Sequence, residues 1–322
     1  MKNVEEKKKK KNKGGCMAAK TEVWGIVDMG SNTIRLCVYL ARLGDRTYKK
    51  LLDARETVGL SSYVEDGVMS KEGVKAASKA LKKLLRTADL VGCKRTFVFA
   101  TAAIRNCTNS DEVVSIIQNR ACTKIEVLPG KEEARLSVKG ACETIDLRSG
   151  LFFDIGGGST ELAVLEDGHY EGGISLPFGS LSTWHEFVRD LTPSPEELDQ
   201  VGKRVRDAII DSGMDLTCGD GLCGIGGTMR MAIKVASELG GGKGGKRVLT
   251  LSDLNLILAT SRDDDAALSR IMLEINPARM HTFLPGCVIA REIMLASGWD
   301  RAVIAKSGVR EGYLLSKMKK LG

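Results

Sequence analysis

Two short loops rich in glycine, serine and threonine are the segments of this sequence best suited to hold phosphate groups. The first runs from Asp28 to Thr33 after a buried apolar stretch, and the second runs from Asp154 to Glu161 after another. Glycine lets backbone N–H groups approach phosphate oxygens closely, and hydroxyl side chains add donors. The loop residues predicted to bind phosphate are Gly30, Ser31, Asn32, Thr33, Gly156, Gly157, Gly158, Ser159 and Thr160.

Taken alone, the two loops differ in how strongly each indicates a phosphate-binding site. The first is explained equally well as an ordinary polar β-turn. The second has three consecutive glycines between two apparent strands, where glycine weakens a sheet, so a ligand against the backbone explains it better. Since each loop follows a strand that ends in aspartate, we predict that the two face each other across a cleft. Arg35, just beyond the first loop, could pair with phosphate through two hydrogen bonds.

A third glycine turn, Gly226-Gly227-Thr228, opens a predicted helix, whose N-terminus favours an anion. Two further glycine-rich stretches, 219–224 and 240–247, resemble nucleotide-binding motifs. Neither lies between a strand and a following helix, and the second has Arg247 where a P-loop needs Ser or Thr. We interpret both stretches as loops.

Proton transfer would rely on carboxylates, because the chain contains only three histidines. Glu132 and Glu133 lie at the start of a predicted helix after Pro129-Gly130, where acidic residues usually balance the helix dipole. One of them could instead orient and deprotonate a water that attacks phosphorus. Asp28, at the end of its strand, is placed to hold a hydrated divalent cation, which prefers oxygen ligands.

The formal net charge of +7 lies mostly in the first 20 residues, which contain eight lysines and two glutamates. We expect residues 1–20 to be a disordered basic tail, and Met17 could be the true start. The rest is nearly neutral, which argues against a specific nucleic-acid partner. No stretch of about 18 uninterrupted apolar residues occurs, so we expect no membrane association. Nine cysteines without metal-site spacing indicate reduced thiols in a cytoplasmic protein.

The succession of strand, glycine turn and returning strand occurs in both halves of the chain and predicts an α/β fold with a duplicated lobe. Strands are expected at Val23 to Asp28, Ile34 to Leu40, Leu151 to Asp154 and Glu161 to Leu165. Apolar residues at helical spacing predict a helix capped by Ser70 and a last helix from about Glu311. The cleft would lie between the two copies.

These motifs resemble, in order, those of the Ppx/GppA family of exopolyphosphatases and guanosine pentaphosphate phosphohydrolases, within the actin/hexokinase/heat-shock-chaperone ATPase superfamily. The resemblance extends from about Trp24 to Leu315. It includes the two loops and the third glycine turn with its Arg230. It also includes the segments 100–105, 128–135, 284–286 and 307–312.

The resemblance implies two actin-like (ribonuclease H-like) lobes with mixed sheets flanked by helices and an interlobe cleft. The N-terminal lobe would comprise residues 21–138 plus 306–322, and the C-terminal lobe residues 139–305. The catalytic base would be Glu133, with Glu132 as the alternative. Phosphate would be bound by both loops and by Arg35, Thr101, Arg105, Gly226, Gly227 and Thr228. Magnesium or another divalent cation would be held through water by Asp28 and Asp154, and Glu161 would assist either the metal or the attacking water.

The implied activity is metal-dependent release of terminal phosphate from inorganic polyphosphate or from guanosine pentaphosphate, and the sequence does not choose between them. Ser182 lies near a position where family members usually carry an arginine. We also expect no additional helical region of the kind found in longer members, which favours short polyphosphate as substrate. A non-catalytic sensor of polyphosphate or of an alarmone and an actin-like ATP-dependent kinase are the alternatives. Family members often form homodimers, so a homodimer is a further expectation.

Overall fold

A computed structural model describes residues 20–242 and 244–321, which form two large β-sheets flanked by helices. The tail predicted for residues 1–20 lies outside the described residues, apart from Lys20, whose ammonium group pairs with Glu22 at 2.9 Å. Within those ranges no helix combines the length and the apolar character that crossing a bilayer requires.

The elements follow each other as strands interleaved with helices. The strands are β1 (Thr21–Met29), β2 (Thr33–Arg42), β3 (Thr47–Thr57), β4 (Val64–Glu65), β5 (Val68–Met69), β6 (Arg95–Ala100), β7 (Ile125–Val127), β8 (Gly150–Ile155), β9 (Thr160–Glu166), β10 (His169–Leu176), β11 (Leu222–Ile225), β12 (Val248–Thr250) and β13 (Arg301–Ile304). The α-helices are α1 (Lys71–Leu90), α2 (Ala102–Arg105), α3 (Ser110–Ala121), α4 (Gly130–Ala141), α5 (Ser180–Phe187), α6 (Pro195–Ser212), α7 (Gly227–Glu238), α8 (Leu251–Asp263), α9 (Asp265–Ile275), α10 (Met280–Ser297) and α11 (Val309–Leu321).

The two large sheets share one arrangement of strands, as expected of a duplicated lobe. The order is β3-β2-β1-β6-β7 in the first sheet and β10-β9-β8-β11-β13-β12 in the second. In each sheet the first three strands pair antiparallel and the next two join in parallel. The first phosphate loop connects β1 to β2 and the second connects β8 to β9. The loops therefore occupy equivalent places in the two sheets.

Local sequence signals determine where several helices begin and end. Ser70 caps α1 by accepting a hydrogen bond from the Gly73 N–H, which confirms the predicted cap. Ser194 and Glu197 form a reciprocal capping box at the start of α6, where a proline takes the first helical position. Gly213 ends the same helix in the left-handed conformation, with φ 63°.

Helices α4 and α11 pack against each other, and their contact depends on glycine. A Cβ at Gly140 would lie 1.9 Å from the carbonyl oxygen of Gly308, and one at Gly312 would lie 1.9 Å from that of Leu136. The two helices therefore meet backbone to backbone. Side chains of α4 contribute to the apolar clusters under both sheets, so the lobe boundary predicted at residue 138 falls inside this helix.

The structure also contains elements that the sequence patterns do not predict, including the β4–β5 hairpin, α2, α5 and β12. Helix α11 begins at Val309, earlier than the predicted start near Glu311. The reason is local, because the Glu311 carboxylate accepts a hydrogen bond from the Gly308 N–H at 3.1 Å and so caps the first turn from inside the helix.

Candidate active site

The loops after β1 and β8 face each other across a cleft of about 200 Å³. Its wall is completed by the third glycine turn, by the segment 276–279 and by the start of α11. The two loops are in contact, because a Cβ on Gly158 would lie 2.5 Å from Ser31 Oγ. An anion in this cleft would therefore meet backbone N–H groups from both halves of the fold.

Both loops close with the same backbone hydrogen bond. The Gly30 N–H donates to the carbonyl of Thr33 at 3.1 Å, and the Gly156 N–H donates to the carbonyl of Ser159 at 2.9 Å. The second loop is anchored further, since its carbonyls accept N–H groups from the first turn of α5. The matching turns explain why the two sequence patterns look alike.

Glu133 is buried at the wall of the cleft, with 8% of the residue exposed. It lies in the first turn of α4 and accepts a hydrogen bond from Arg105 Nη1. Arg105 Nη2 donates to Ser175 Oγ at 3.2 Å, and that hydroxyl donates to Glu161 at 2.7 Å. Burial, and next the charge of Glu161, raise the pKa of Glu133 well above its ordinary value. A carboxylate with a raised pKa is a stronger base once it is ionised.

Asp154 and Glu161 lie directly opposite each other in the antiparallel pair of β8 and β9. Asp154 Oδ2 accepts a hydrogen bond from Ser137 at 2.8 Å. Burial raises the pKa of Asp154, and burial together with the charge of Asp154 raises the pKa of Glu161 to about 7. Each carboxylate therefore makes the ionised form of the other less favourable.

This pair of acids fits a divalent cation, because a cation would offset their mutual repulsion and they supply the oxygen ligands it prefers. Within residues 20–242 and 244–321, however, no three Asp, Glu, His or Cys side chains cluster closely enough to form a complete metal site. A cation held by Asp154 and Glu161 would therefore keep several of its waters, as Mg²⁺ usually does.

Asp28 has a different partner from the other two predicted metal ligands. Its Oδ2 accepts a hydrogen bond from Arg310 Nη1 at 2.9 Å, and the two side chains are only 14% and 19% exposed, respectively. Burial raises the pKa of Asp28, and the charge of Arg310 opposes that rise. Asp28 thus has a guanidinium counter-ion, whereas the Asp154 and Glu161 carboxylates accept hydrogen bonds from hydroxyl groups.

Basic side chains line a further part of the cleft: Arg35, Arg55, Arg230, Arg279 and Lys306. Arg35 makes two hydrogen bonds of 2.6 Å to Asp53. Arg230 donates to a backbone carbonyl, and Arg279 donates to the hydroxyl of Thr228 at 3.1 Å. Neither of these two forms an ion pair with a carboxylate in the described ranges. Burial, and next the charge of Arg230, lower the pKa of Arg279 to about 10. An anionic ligand would relieve this concentration of positive charge.

Most of the predicted site residues line the cleft. These are Asp28, Gly30, Ser31, Asn32, Thr33, Arg35, Thr101, Glu133, Asp154, Gly156, Gly157, Gly158, Ser159, Glu161, Gly226 and Gly227. Three others lie just behind the wall. Arg105 contacts Glu133 there, Thr160 donates to a backbone carbonyl, and Thr228 accepts from an arginine.

Glu132 lies outside the cleft wall. Its carboxylate makes hydrogen bonds of 2.6 and 2.7 Å to Arg135, one turn further along α4, and 37% of its side chain is exposed. Adjacent positions on a helix point about 100° apart, so the two glutamates face different surroundings. Of the two sequence-based alternatives for the base, Glu133 is the one that lines the cleft.

Several residues of the site are not predicted by the sequence patterns. Ser137 and Ser175 orient the acids, yet they reach the site only through the packing of α4 and the pairing of β9 with β10, which no local pattern marks. Arg279 packs so closely on the third glycine turn that a Cβ at Gly227 would lie 2.2 Å from Nη2. The available signal for Arg279 is its position after the helix break at Asn276-Pro277.

The paired sheets, the matching loops and the cleft between them define a two-lobed protein of the actin-like class. A solved structure of the Ppx/GppA family member from Aquifex aeolicus is similar, with a TM-score of 0.72 and 21% identity, covering 94% of this chain and 99% of that one. The chain belongs to the Ppx/GppA phosphatase family, whose sequence profile matches residues 41–321. The family and fold class expected from sequence are thereby confirmed.

Two curated relatives are similar along nearly their whole length. An uncharacterised protein of Streptomyces coelicolor is 31% identical, covering 90% of this chain and 88% of its own length. Exopolyphosphatase 1 of Mycobacterium leprae is 26% identical, covering 91% of this chain and 89% of its own length.

Proposed function

We propose that this protein is a hydrolase that removes the terminal phosphate of inorganic polyphosphate or of guanosine pentaphosphate, with Glu133 as the base. The observation that carries the proposal is the position of Glu133, buried in the wall of a cleft lined by two phosphate loops. Membership of the phosphatase family and similarity to an exopolyphosphatase support a phosphoanhydride as the substrate.

In the proposed reaction the Glu133 carboxylate accepts a proton from a water as the water oxygen attacks the terminal phosphorus. The bond from phosphorus to the bridging oxygen breaks, and the electron pair leaves with the shortened chain. Backbone N–H groups of the two loops stabilise the charge on the oxygens of the transferred group. Arg105 holds the Glu133 carboxylate in position through its Nη1 hydrogen bond.

Dependence on a divalent cation, preferably Mg²⁺, is part of the proposal. Asp154 and Glu161 would hold it, for the reasons of charge and ligand type given above. When bound, the cation supplies neutralisation of the negative charge on the substrate oxygens. Burial, and next the charge of Glu161, disfavour the ionised form of Glu133, which a positive charge near Glu161 would favour.

The basic residues of the cleft would bind the phosphate groups next to the terminal one. Arg230 and Arg279 suit this role because each lacks a carboxylate partner in the described ranges. Ser182 instead accepts a hydrogen bond from the Gly179 N–H at 2.8 Å, so it offers no positive charge at the position where an arginine is expected. Preference for short polyphosphate chains is a further part of the proposal, and the assay below tests it.

The proposal is tested by measuring phosphate release from short polyphosphate, long polyphosphate and guanosine pentaphosphate, each with and without Mg²⁺. We expect phosphate release that depends on Mg²⁺. Release should be faster from short polyphosphate or from guanosine pentaphosphate than from long polyphosphate. Tight binding of these compounds without any release would favour the non-catalytic sensor. Transfer of phosphate from ATP to a small metabolite would favour the kinase.

A further inference from the structure

The start of helix α11 enters the cleft between the aspartates of the two phosphate loops. Arg310 Nη1 donates to Asp28 Oδ2 at 2.9 Å on one side. Two residues earlier, Gly308 lies so close to the other loop that a Cβ there would be 3.7 Å from Asp154 Oδ2. The last helix of the described chain therefore delivers a fixed positive charge to the first loop and passes beside the second.

The surroundings of Arg310 keep it in this position. The neighbouring Glu311 carboxylate accepts a hydrogen bond from the Tyr39 hydroxyl at 2.8 Å and pairs with Lys50 at 3.0 Å. The backbone before it is held against Gly140 of α4. Arg310 Nε is buried without a hydrogen-bond partner, which is unfavourable, so the charge pair with Asp28 must compensate for it.

We propose that Arg310 is the permanent counter-ion of Asp28, so that this aspartate binds no divalent cation and the cation binds through Asp154 and Glu161. Arg310 is thus a positioning residue for the first loop. The inference rests on the proposed function only insofar as that function includes a divalent cation. It departs from the sequence-based expectation, in which Asp28 and Asp154 have equal roles.

The reason is electrostatic. A guanidinium and a divalent cation on one carboxylate would repel each other over a few ångströms in a site where water screens little. Arg310 does not lose its proton to make room, because the charge of Asp28 raises its pKa even though burial alone would lower it.

The second pair of acids accepts no hydrogen bond from a guanidinium in the described ranges, although the charges of Arg310 and Arg230 also act on Asp154. The Asp154 and Glu161 carboxylates accept hydrogen bonds from the neutral hydroxyls of Ser137 and Ser175. The guanidinium of Arg105 stands 4.0 Å from the Glu161 carboxylate and is bound to Glu133 instead. A cation on Asp154 and Glu161 would therefore disturb only the long Arg105–Glu161 ion pair and no direct hydrogen bond from a guanidinium.

Binding of Mn²⁺ to the full-length protein, followed by calorimetry and by electron paramagnetic resonance, tests the inference without measuring activity. We expect one Mn²⁺ per chain in the unmodified protein. Asp28→Asn should change the Kd by less than about 3-fold, whereas Asp154→Asn should weaken binding at least about 10-fold, because it removes a direct ligand. Equal weakening by the two substitutions would overturn the inference.

A second variant tests the counter-ion directly. Arg310→Met frees the Asp28 carboxylate, so we expect an additional, weaker Mn²⁺ site that disappears in the double variant Asp28→Asn/Arg310→Met. Arg301→Met, which removes an exposed arginine paired with Asp300, is the matched control and should retain one site. A single site in a folded Arg310→Met protein would contradict the proposal.

Absence of any Mn²⁺ binding to the unmodified protein would refute the metal dependence of the proposed function. The counter-ion role is then decided by a double-mutant cycle on thermal unfolding. We expect the Tm loss of the double variant to be clearly smaller than the sum of the two single losses. Additive losses would show that Asp28 and Arg310 are not coupled and would overturn the role of Arg310.

Discussion

The Ser175 hydroxyl donates a hydrogen bond to Glu161 at 2.7 Å and accepts one from Arg105 at 3.2 Å. Arg105 in turn donates to Glu133. The Arg105 guanidinium thus interacts directly with Glu133 and, through Ser175, with Glu161, and these two buried carboxylates repel each other. Because a single positive charge cannot neutralise both, the protonation of Glu133 depends on whatever charge is bound near Glu161.

Replacement of Glu133 by Gln should lower kcat for phosphate release at least about 100-fold, a typical contribution of a general base. Glutamine retains the size and can still accept a hydrogen bond from Arg105, but it cannot take a proton from water. KM should change little. The measurement is steady-state phosphate release at saturating Mg²⁺.

The adjacent Glu132 provides the matched control for this experiment. Glu132→Gln removes the same charge from the next position of the same helix, outside the cleft wall. We expect its kcat to stay within about 3-fold of the unmodified value, since only an exposed ion pair with Arg135 is lost. Equal losses from the two substitutions would refute Glu133 as the base.

The stability of the metal-free protein should fall as the pH rises from 5 to 7. The pKa of Glu161 is raised in the folded protein from an ordinary value of 4.5 to about 7, because it is buried and faces Asp154. Between these values the folded state binds more protons than the unfolded state, so the free energy of unfolding decreases with increasing pH.

Glu161→Gln should make this pH dependence flatter, because glutamine does not titrate. A part of the slope should remain, since burial also raises the pKa of Glu133 and Asp154. Urea unfolding at several pH values in the presence of a chelator measures the effect. Identical slopes for the two proteins would mean that Glu161 does not have a raised pKa.

How much of this site could be predicted depends on whether its parts are local in sequence. The loop from Asp28 to Thr33 was predictable because a strand, a tight turn and a returning strand are specified by neighbouring residues. Ser175 was not, since it meets Glu161 only after β10 pairs with β9. The choice between Glu132 and Glu133 also required the structure, because the direction of α4 relative to the cleft is set by distant contacts.

The electrostatic environment of the predicted metal ligands could not be predicted from neighbouring residues either. Asp28 and Asp154 each stand one residue before the end of equivalent strands, so the sequence pattern predicts equal roles for them. Their difference arises from Arg310, which lies far along the chain and reaches Asp28 only because α11 packs on α4. Similar local patterns can therefore have different electrostatic environments.

Replacement of Arg279 by Ala should weaken substrate binding while stabilising the protein without ligand. Burial, and next the charges of neighbouring arginines, lower the pKa of Arg279 to about 10, so its removal relieves repulsion. With a phosphate chain bound, the same change loses a charge-assisted hydrogen bond of about 1.5–3 kcal/mol, which corresponds to a roughly 10- to 100-fold rise in KM.

The control is Arg262→Ala, which removes an exposed arginine paired with Asp199. KM and Tm of this variant should stay close to the unmodified values. An unchanged KM in Arg279→Ala would exclude this residue from the substrate site.

Replacement of Gly140 by Ala should destabilise the protein and reduce activity together. The new Cβ would lie 1.9 Å from the carbonyl oxygen of Gly308, so α4 and α11 must move apart. Overpacking of this kind typically costs about 1–3 kcal/mol. The movement also shifts Glu133, at one end of α4, relative to Arg310, at the start of α11, and misplacement of a catalytic group lowers kcat.

Gly172→Ala is the control, because no atom lies within 4 Å of its Cβ position, and its free energy of unfolding should change by less than about 0.5 kcal/mol. Normal stability of Gly140→Ala in urea unfolding would show that the helix contact is looser than the glycine packing implies. Lost stability with unchanged kcat would instead separate the helix contact from the positioning of Glu133.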